Sequence, residues 1–404
     1  MEHMGSAGID TAELVAAHEP FHRVVLLAEA CAETGLHDFG GDDFHEPLDR
    51  LLASLESEAH LHPVGRWRVR EQVLRLLRGR LMLVDHRRAN PEVVGEVIEA
   101  PIVVCGSPRA GTSITHQLLA TAPGHRAPLA WEFWQPTPPP TVDGQATDPR
   151  IQLADDDLRL TTSLSPGLDA VHEYGARLPR ECGHAMAFSF RTDVFGAHNS
   201  IPGYTSWFHG CDMSDAYHWH RVVLQVLQSR MHGDRWVLKA PGHVQFLPAL
   251  FDEYPDAQVV VCHRDPLAMI SSLTSLLSRL RANGSDQVDA ARIARAEIDN
   301  FLRQFDLLMS WIDNGTVPAD RIIHQRFDEF LLDEVAAVSR LHDHLGLPFS
   351  DAHHQALNAW LDNRPRGSLG VHEHSLEGLG LDPEAERIRF SRYIDRFSIA
   401  KESR

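Results

Sequence analysis

Two short stretches hold the residues best suited to chemistry. The first, VVCGSPRAGTSITHQLLA at 103–120, joins a β-branched run to a helix-like pattern through a turn containing Gly106 and Gly111. Such a turn aims several backbone N–H groups at one point, and the helix dipole adds to that field, so it binds an anion. A nucleotide-triphosphate loop reads G-x-x-x-x-G-K-[ST]. Here the glycines have that separation, but Thr112 stands at the lysine position and the cation is Arg109, in mid-turn beside Pro108. A guanidinium offers a planar fork to two oxygens where a lysine offers a point charge. Ser107, Pro108, Arg109, Ala110, Gly111, Thr112 and Ser113 are therefore assigned to anion binding, and magnesium-dependent triphosphate hydrolysis is disfavoured.

The second stretch is WVLKAPGHVQFLPALFDEYPDAQVVVCHRDPLAMISSLTSL, 236–276. A hydrophobic strand ends at Arg264, Pro266 limits the turn, and Ser271 and Ser272 fall in the first two turns of a helix. If the chain turns between them, Arg264 and Ser272 converge on one phosphate, the first by charge-assisted hydrogen bonds and the second by its hydroxyl. Two anion sites on adjacent strand ends suit one ligand with two separated phosphate groups. Lys239 ends a strand on the same edge, where ligands of open α/β sheets bind.

The elements that must position these residues follow from periodicity. Residues 1–97 read as a helical region, with apolar positions at three- and four-residue spacing and charges such as Asp49, Arg68 and Glu71 between them. From Pro101 short apolar strands alternate with helices, the pattern of a parallel sheet covered on both faces. Strands are expected near 101–106, 235–239, 257–263 and 320–325. The fold class is thus α/β, a three-layer P-loop-type parallel sheet over 98–404, with a largely helical insertion at 131–232 as the expected acceptor site.

Bulk properties narrow the function. The chain has 404 residues, enough for one large α/β domain with an appendage or for two domains. No run approaches the ~18 apolar residues of a membrane span, and the first residues have neither a basic nor an apolar signal region, so a cytoplasmic location is expected. A formal charge of −18 argues against nucleic-acid binding. The five cysteines contain no C-x-x-C pair, which fits reduced thiols, with Cys105 and Cys262 as small core residues in strands. Although there are 26 histidines, HWH at 218–220 and HDH at 342–344 are isolated, and no metal site is expected. The oligomeric state is not legible.

GSPRAGTS resembles the 5′-phosphosulfate loop of sulfotransferases, and CHRDPLAMISS resembles their 3′-phosphate motif, including the eight-residue step from Arg264 to Ser272. WVLKAPGH, HQRFDEFLLDE and HSLEGLGLD look like the bacterial branch with arginine in the loop. The resemblance extends from about residue 98 to 398 and leaves out the N-terminal helices. It implies 3′-phosphoadenosine 5′-phosphosulfate as co-substrate and a hydroxyl acceptor that is a small molecule, a glycan or lipid-like. The family often has serine at Ala110, tyrosine at Phe327 and a tyrosine-serine pair at His374-Ser375. Those departures leave donor binding standing and bear on adenine contacts and the acceptor wall.

Sulfuryl transfer needs an in-line nucleophile, a base for the acceptor hydroxyl, and cations for charge building on the bridging oxygen. Arg109 and Lys239 are the candidate cations, with no metal required. Glu132 is the candidate base. It follows Arg109 by 23 residues, where relatives with this loop place a catalytic glutamate, and Trp131 and Trp134 flank it in a way that would raise its pKa. Glu181, His116 and His172 stand behind it, and the resemblance adds Arg366 and Gly367 as a late contact to the 3′-phosphate. A P-loop nucleotide kinase and a non-catalytic nucleotide-binding protein are the alternative readings.

Overall fold

The structure is a computed structural model that describes residues 19–165, 167–168, 173–364 and 376–402. Its centre is one parallel sheet of β1 (Ile102–Cys105), β2 (His125–Arg126), β3 (Arg235–Lys239), β4 (Gln258–His263) and β5 (Ile322–Arg326), in the order β2-β3-β1-β4-β5. The strands expected from periodicity are β1, β3, β4 and β5. The two-residue β2, held at the edge by pairing with Arg235 and Trp236, lies outside those expectations because two residues cannot display a period.

β1 is buried on both faces, as a central parallel strand must be. Val104 pairs with Lys239 on one side and Cys105 with Val261 on the other. From β1 the sheet is built outward in both directions, which makes its carboxyl end the switch point where open α/β sheets bind ligands.

Alternation along the strands divides the core in two. Val103, Cys105, Trp236, Leu238, Val259 and Val261 face one apolar cluster. Ile102, Val104, Val237, Val260 and Cys262 face the other. The first is shared with α1 (Arg23–Thr34), α2 (His45–Ser57) and α3 (Pro63–Ala89), which contribute Leu26, Leu51, Leu55, Leu74, Leu77 and Leu81. The N-terminal helices therefore share a core with the sheet.

The chain after β1 runs into α4 (Thr112–Leu119), then α5 (Ala130–Trp134) and α6 (Arg150–Ser163). Short helical turns at Gly183–Met186, Val194–His198 and Pro202–Phe208 lead to α7 (Ser214–Gln228), so 131–232 is largely helical as expected. α8 (Pro266–Ala282) and α9 (Ala290–Asp313) cover the second face with Met269, Ile270, Ile298 and Phe301.

α3 begins with Pro63 at its first position, and the His62 ring accepts the Gly65 N–H at 3.0 Å. A Cβ on Gly65 would lie 2.1 Å from the Gly284 carbonyl oxygen, so only glycine lets α3 dock on the turn after α8. This contact fixes the wall of the space described below. Among the described residues, no helix is long and apolar enough to cross a membrane.

Candidate active site

The loop between β1 and α4 is shaped by three residues with positive φ: Gly106 at 131°, Arg109 at 73° and Gly111 at 94°. A Cβ on Gly106 would meet the Cys262 carbonyl oxygen at 2.4 Å, and one on Gly111 would meet the Phe327 ring at 2.5 Å. Both glycines are thus required by close approach as well as by φ. Arg109 holds a left-handed conformation that is uncommon for a residue with a side chain.

The side chains of the two sequence motifs meet. Arg109 Nε donates to Ser272 Oγ at 3.0 Å. Arg264 Nη1 donates to the Arg109 carbonyl oxygen at 2.9 Å, and its guanidinium lies 4.3 Å from the centre of the Phe327 ring. Burial, and then the charge of Arg264, hold the Arg109 guanidinium below its usual pKa. Ser107 Oγ donates to Gln304 Oε1 of α9 at 3.0 Å, and Thr112 is buried at the helix start.

A lysine absent from the loop itself is present beside it. Lys239 Nζ, from the end of β3, lies 3.2 Å from Ser113 Oγ and 2.5 Å from Glu181 Oε1. The Cys182 N–H donates to the Lys239 carbonyl oxygen at 2.7 Å, which ties the Glu181 segment to the strand end.

Glu132 is placed differently from the sequence expectation. It is fully buried, one carboxylate oxygen accepting from Arg126 at 3.0 Å and the other from the Leu129 N–H at 2.8 Å, where it caps its own helix α5. Arg126 also donates to the carbonyls of Leu227 and Met231 at the end of α7. Burial raises the Glu132 pKa, with Arg126 acting against it. The expected upward shift is present, but the carboxylate lines neither cavity beside the loop. Access is what it lacks.

Of the other acid–base candidates, His116 is buried with Nε2 at 2.9 Å from the Val237 carbonyl oxygen, and burial followed by Lys239 lowers its pKa to about 3. His172, Arg366, Gly367 and the His374-Ser375 pair lie outside the described residues. Glu181 is about a third exposed and lines a cavity of about 200 Å³ that reaches Pro108. Asp193 lines the same cavity, and burial, then the Glu181 charge, raise its pKa to about 6.

A second cavity of about 300 Å³, walled by α3, α5 and α6, shares Tyr174, Arg180, His184, Val194, His198 and Leu280 with the first. The two cavities adjoin along these residues and together make up the chamber beside the loop. Among the described residues, no group of three or more His, Cys, Asp or Glu is arranged to hold a metal ion.

One residue at the site carried no sequence signal. Glu402 presents both carboxylate oxygens to Arg264, at 2.7 and 2.8 Å, across 138 positions of chain. Its N–H donates to Asp265, whose carboxylate also accepts from Arg387 at 2.6 Å and from the Leu267 N–H at 3.1 Å.

Comparison with known proteins agrees with this geometry. The family described as the sulfotransferase family matches residues 101–351. The sulfotransferase STF1 from Mycobacterium tuberculosis H37Rv superposes with a TM-score of 0.81 at 28% identity, covering 92% of this chain and 99% of its own. The sulfotransferase STF9 from Mycobacterium avium superposes with a TM-score of 0.83 at 26% identity, covering 95% and 98%. No curated protein matches the chain at a significant level. With the loop, the converging arginines and a family match over more than half its length, the chain belongs to the sulfotransferase family.

Proposed function

We propose that the protein transfers a sulfuryl group from 3′-phosphoadenosine 5′-phosphosulfate to a hydroxyl of a small-molecule, glycan or lipid-like acceptor. The observation that carries this reading is the contact of Arg109 with Ser272, backed by Arg264 on the Arg109 carbonyl, which merges the two anion motifs into one site. The donor fits what the residues offer. Gly106 and Gly111 keep the loop clear of side chains, Arg109 supplies the fork, and Arg264 with Ser272 supplies a second anion position, to which Arg366 and Gly367 are assigned as further contacts.

The bound donor would supply a sulfur bonded to a good leaving oxygen. The acceptor oxygen forms the new O–S bond while the S–O bond to phosphate breaks, and the charge left on the phosphate falls to Arg109 and Lys239. Ser113, held against Lys239, orients that ammonium group. We assign the base to Glu181 in place of Glu132, because its carboxylate lies beside Lys239 on the chamber wall and can take the hydroxyl proton from an acceptor there.

Thermal stabilisation tests the reading, since a ligand bound only by the native state raises its apparent stability. 3′-Phosphoadenosine 5′-phosphate should stabilise the chain well above AMP or ATP. Equal stabilisation by ATP together with magnesium-dependent turnover would favour a kinase, and binding without any turnover would favour a non-catalytic nucleotide-binding protein.

A further inference from the structure

The part of the chamber away from the loop is electropositive although the chain as a whole carries −18. Four arginines, Arg68, Arg75 and Arg78 of α3 and Arg180, line it against two carboxylates, Glu71 and Asp157. Arg78 is occupied by Glu33 at 2.5 Å and Glu71 at 3.6 Å. Among the described residues Arg68 makes one hydrogen bond, to Thr161 Oγ1 at 2.9 Å, and Arg75 makes one, to the Trp134 carbonyl at 3.1 Å, with its guanidinium 5.6 Å from the centre of the Trp134 ring. The Arg180 guanidinium lies 5.8 Å from the centre of the Tyr174 ring. Among the described residues, none of Arg68, Arg75 and Arg180 is ion-paired.

Desolvated cations are costly unless anions complete them, and on this wall Asp157 is one carboxylate for three arginines that form no ion pair among the described residues. Burial, opposed by Asp157, holds Arg68 and Arg75 below the usual arginine pKa. The neighbouring histidines report the same field. His198 is lowered to about 3 and His184 well below its usual value, by burial first and then by arginines that include Arg180. Both rings are therefore neutral and add no further positive charge. Toward the loop the wall is more apolar, with Phe208, Leu276 and Leu277, and it carries the acids Glu181, Asp193 and Glu297 beside the single cation Arg281 and the shared Arg180.

We propose that the acceptor is an amphiphilic hydroxy acid. Its hydroxyl lies beside Pro108 and Glu181, its apolar body against Phe208 and Leu277, and its anionic head, a carboxylate or a phosphate, on Arg68, Arg75 and Arg180. The position of the hydroxyl rests on the sulfotransferase reading; the anion site does not. An acceptor with a neutral head would leave the three cations without an anionic ligand.

The test is calorimetric titration of the full chain, with and without 3′-phosphoadenosine 5′-phosphate, using decanoate, decyl phosphate and decanol as probes. At least one of the two anions should bind about tenfold or more tightly than decanol, a difference of about 1.4 kcal/mol, and the better anion identifies the head group. Arg180→Gln and Arg75→Gln should each reduce that preference severalfold while decanol binding stays unchanged. Arg180 makes no side-chain hydrogen bond among the described residues, so Arg180→Gln keeps the test open should Arg75→Gln misfold. Equal affinity for decanol, failure of both anions to bind, or a preference that survives both substitutions would overturn the proposal. Should the nucleotide fail to bind while the arginine-dependent preference persists, the donor reading falls and the anion site stands.

Discussion

Arg109 Nε and Ser272 Oγ are 3.0 Å apart although 163 positions separate them in the chain. The contact spans the gap between β1 and β4, whose pairing brings the two loops to one edge of the sheet. A guanidinium shared between a hydroxyl and an incoming anion cannot be replaced by a point charge without losing one of the two. Arg109→Lys should weaken 3′-phosphoadenosine 5′-phosphate binding about 10- to 100-fold, the loss of about 1.5–3 kcal/mol expected for a hydrogen bond to a charged group. Calorimetry on the wild type and variant checks this, and an unchanged dissociation constant would remove Arg109 from the donor site.

Glu181→Gln should lower kcat about 100-fold or more, the usual contribution of a general base, with the KM for donor little changed. Lys239→Met should lower kcat as well, since Lys239 touches both Glu181 and Ser113. Initial-rate measurements over donor concentration separate the two effects.

Glu132→Gln should behave as a stability variant. It leaves the buried Arg126 charge unpaired, a loss of about 3–5 kcal/mol when one partner of a buried pair is removed. The expected result is a clear fall in melting temperature with kcat of the folded fraction retained. A stable variant without turnover would instead return the base to Glu132.

Glu402→Gln should tighten 3′-phosphoadenosine 5′-phosphate binding severalfold. The Glu402 carboxylate occupies Nε and Nη2 of Arg264, the edge of the fork that a phosphate would use, while Nη1 donates to the Arg109 carbonyl; like charges at one guanidinium compete. Weaker binding in the variant would show that Glu402 orients Arg264 rather than competing with the ligand.

Asp193 gives a pH signature. Its folded pKa of about 6 lies above the ordinary value of 3.8, so between those values the native state holds a proton that the unfolded chain has lost. Native stability from this group is therefore full below pH 3.8 and declines as the pH rises through about 6. Asp193→Asn should melt higher than the wild type at pH 7.5, with the difference closing toward pH 4. A constant difference across that range would contradict the raised pKa.

The donor loops were legible because a strand, a turn with glycine or proline, and a helix follow one another in a few residues, and local order is what a sequence displays. Glu132 was legible as a residue between tryptophans but not as the partner of Arg126, since the fold of α5 against β2 decides which way the carboxylate points. Glu181 stood among the alternatives, and only the pairing of its segment with the end of β3 places it at Lys239. Arg68 read as a charge on an amphipathic helix; that it faces a cavity depends on α6 covering it. Glu402 reaches Arg264 from the chain end, with no local pattern to announce it.

α3 lies before the segment that matches the family, yet it both seals the core with Leu74, Leu77 and Leu81 and walls the chamber with its arginines. If the proposed anion site holds the acceptor, exchanging residues along one flank of this single helix would retarget the protein while the loop residues stay as they are. Trimming that helix away would remove Leu74, Leu77 and Leu81 from the core it shares with the sheet, so packing and the proposed anion site are carried by the same piece of chain.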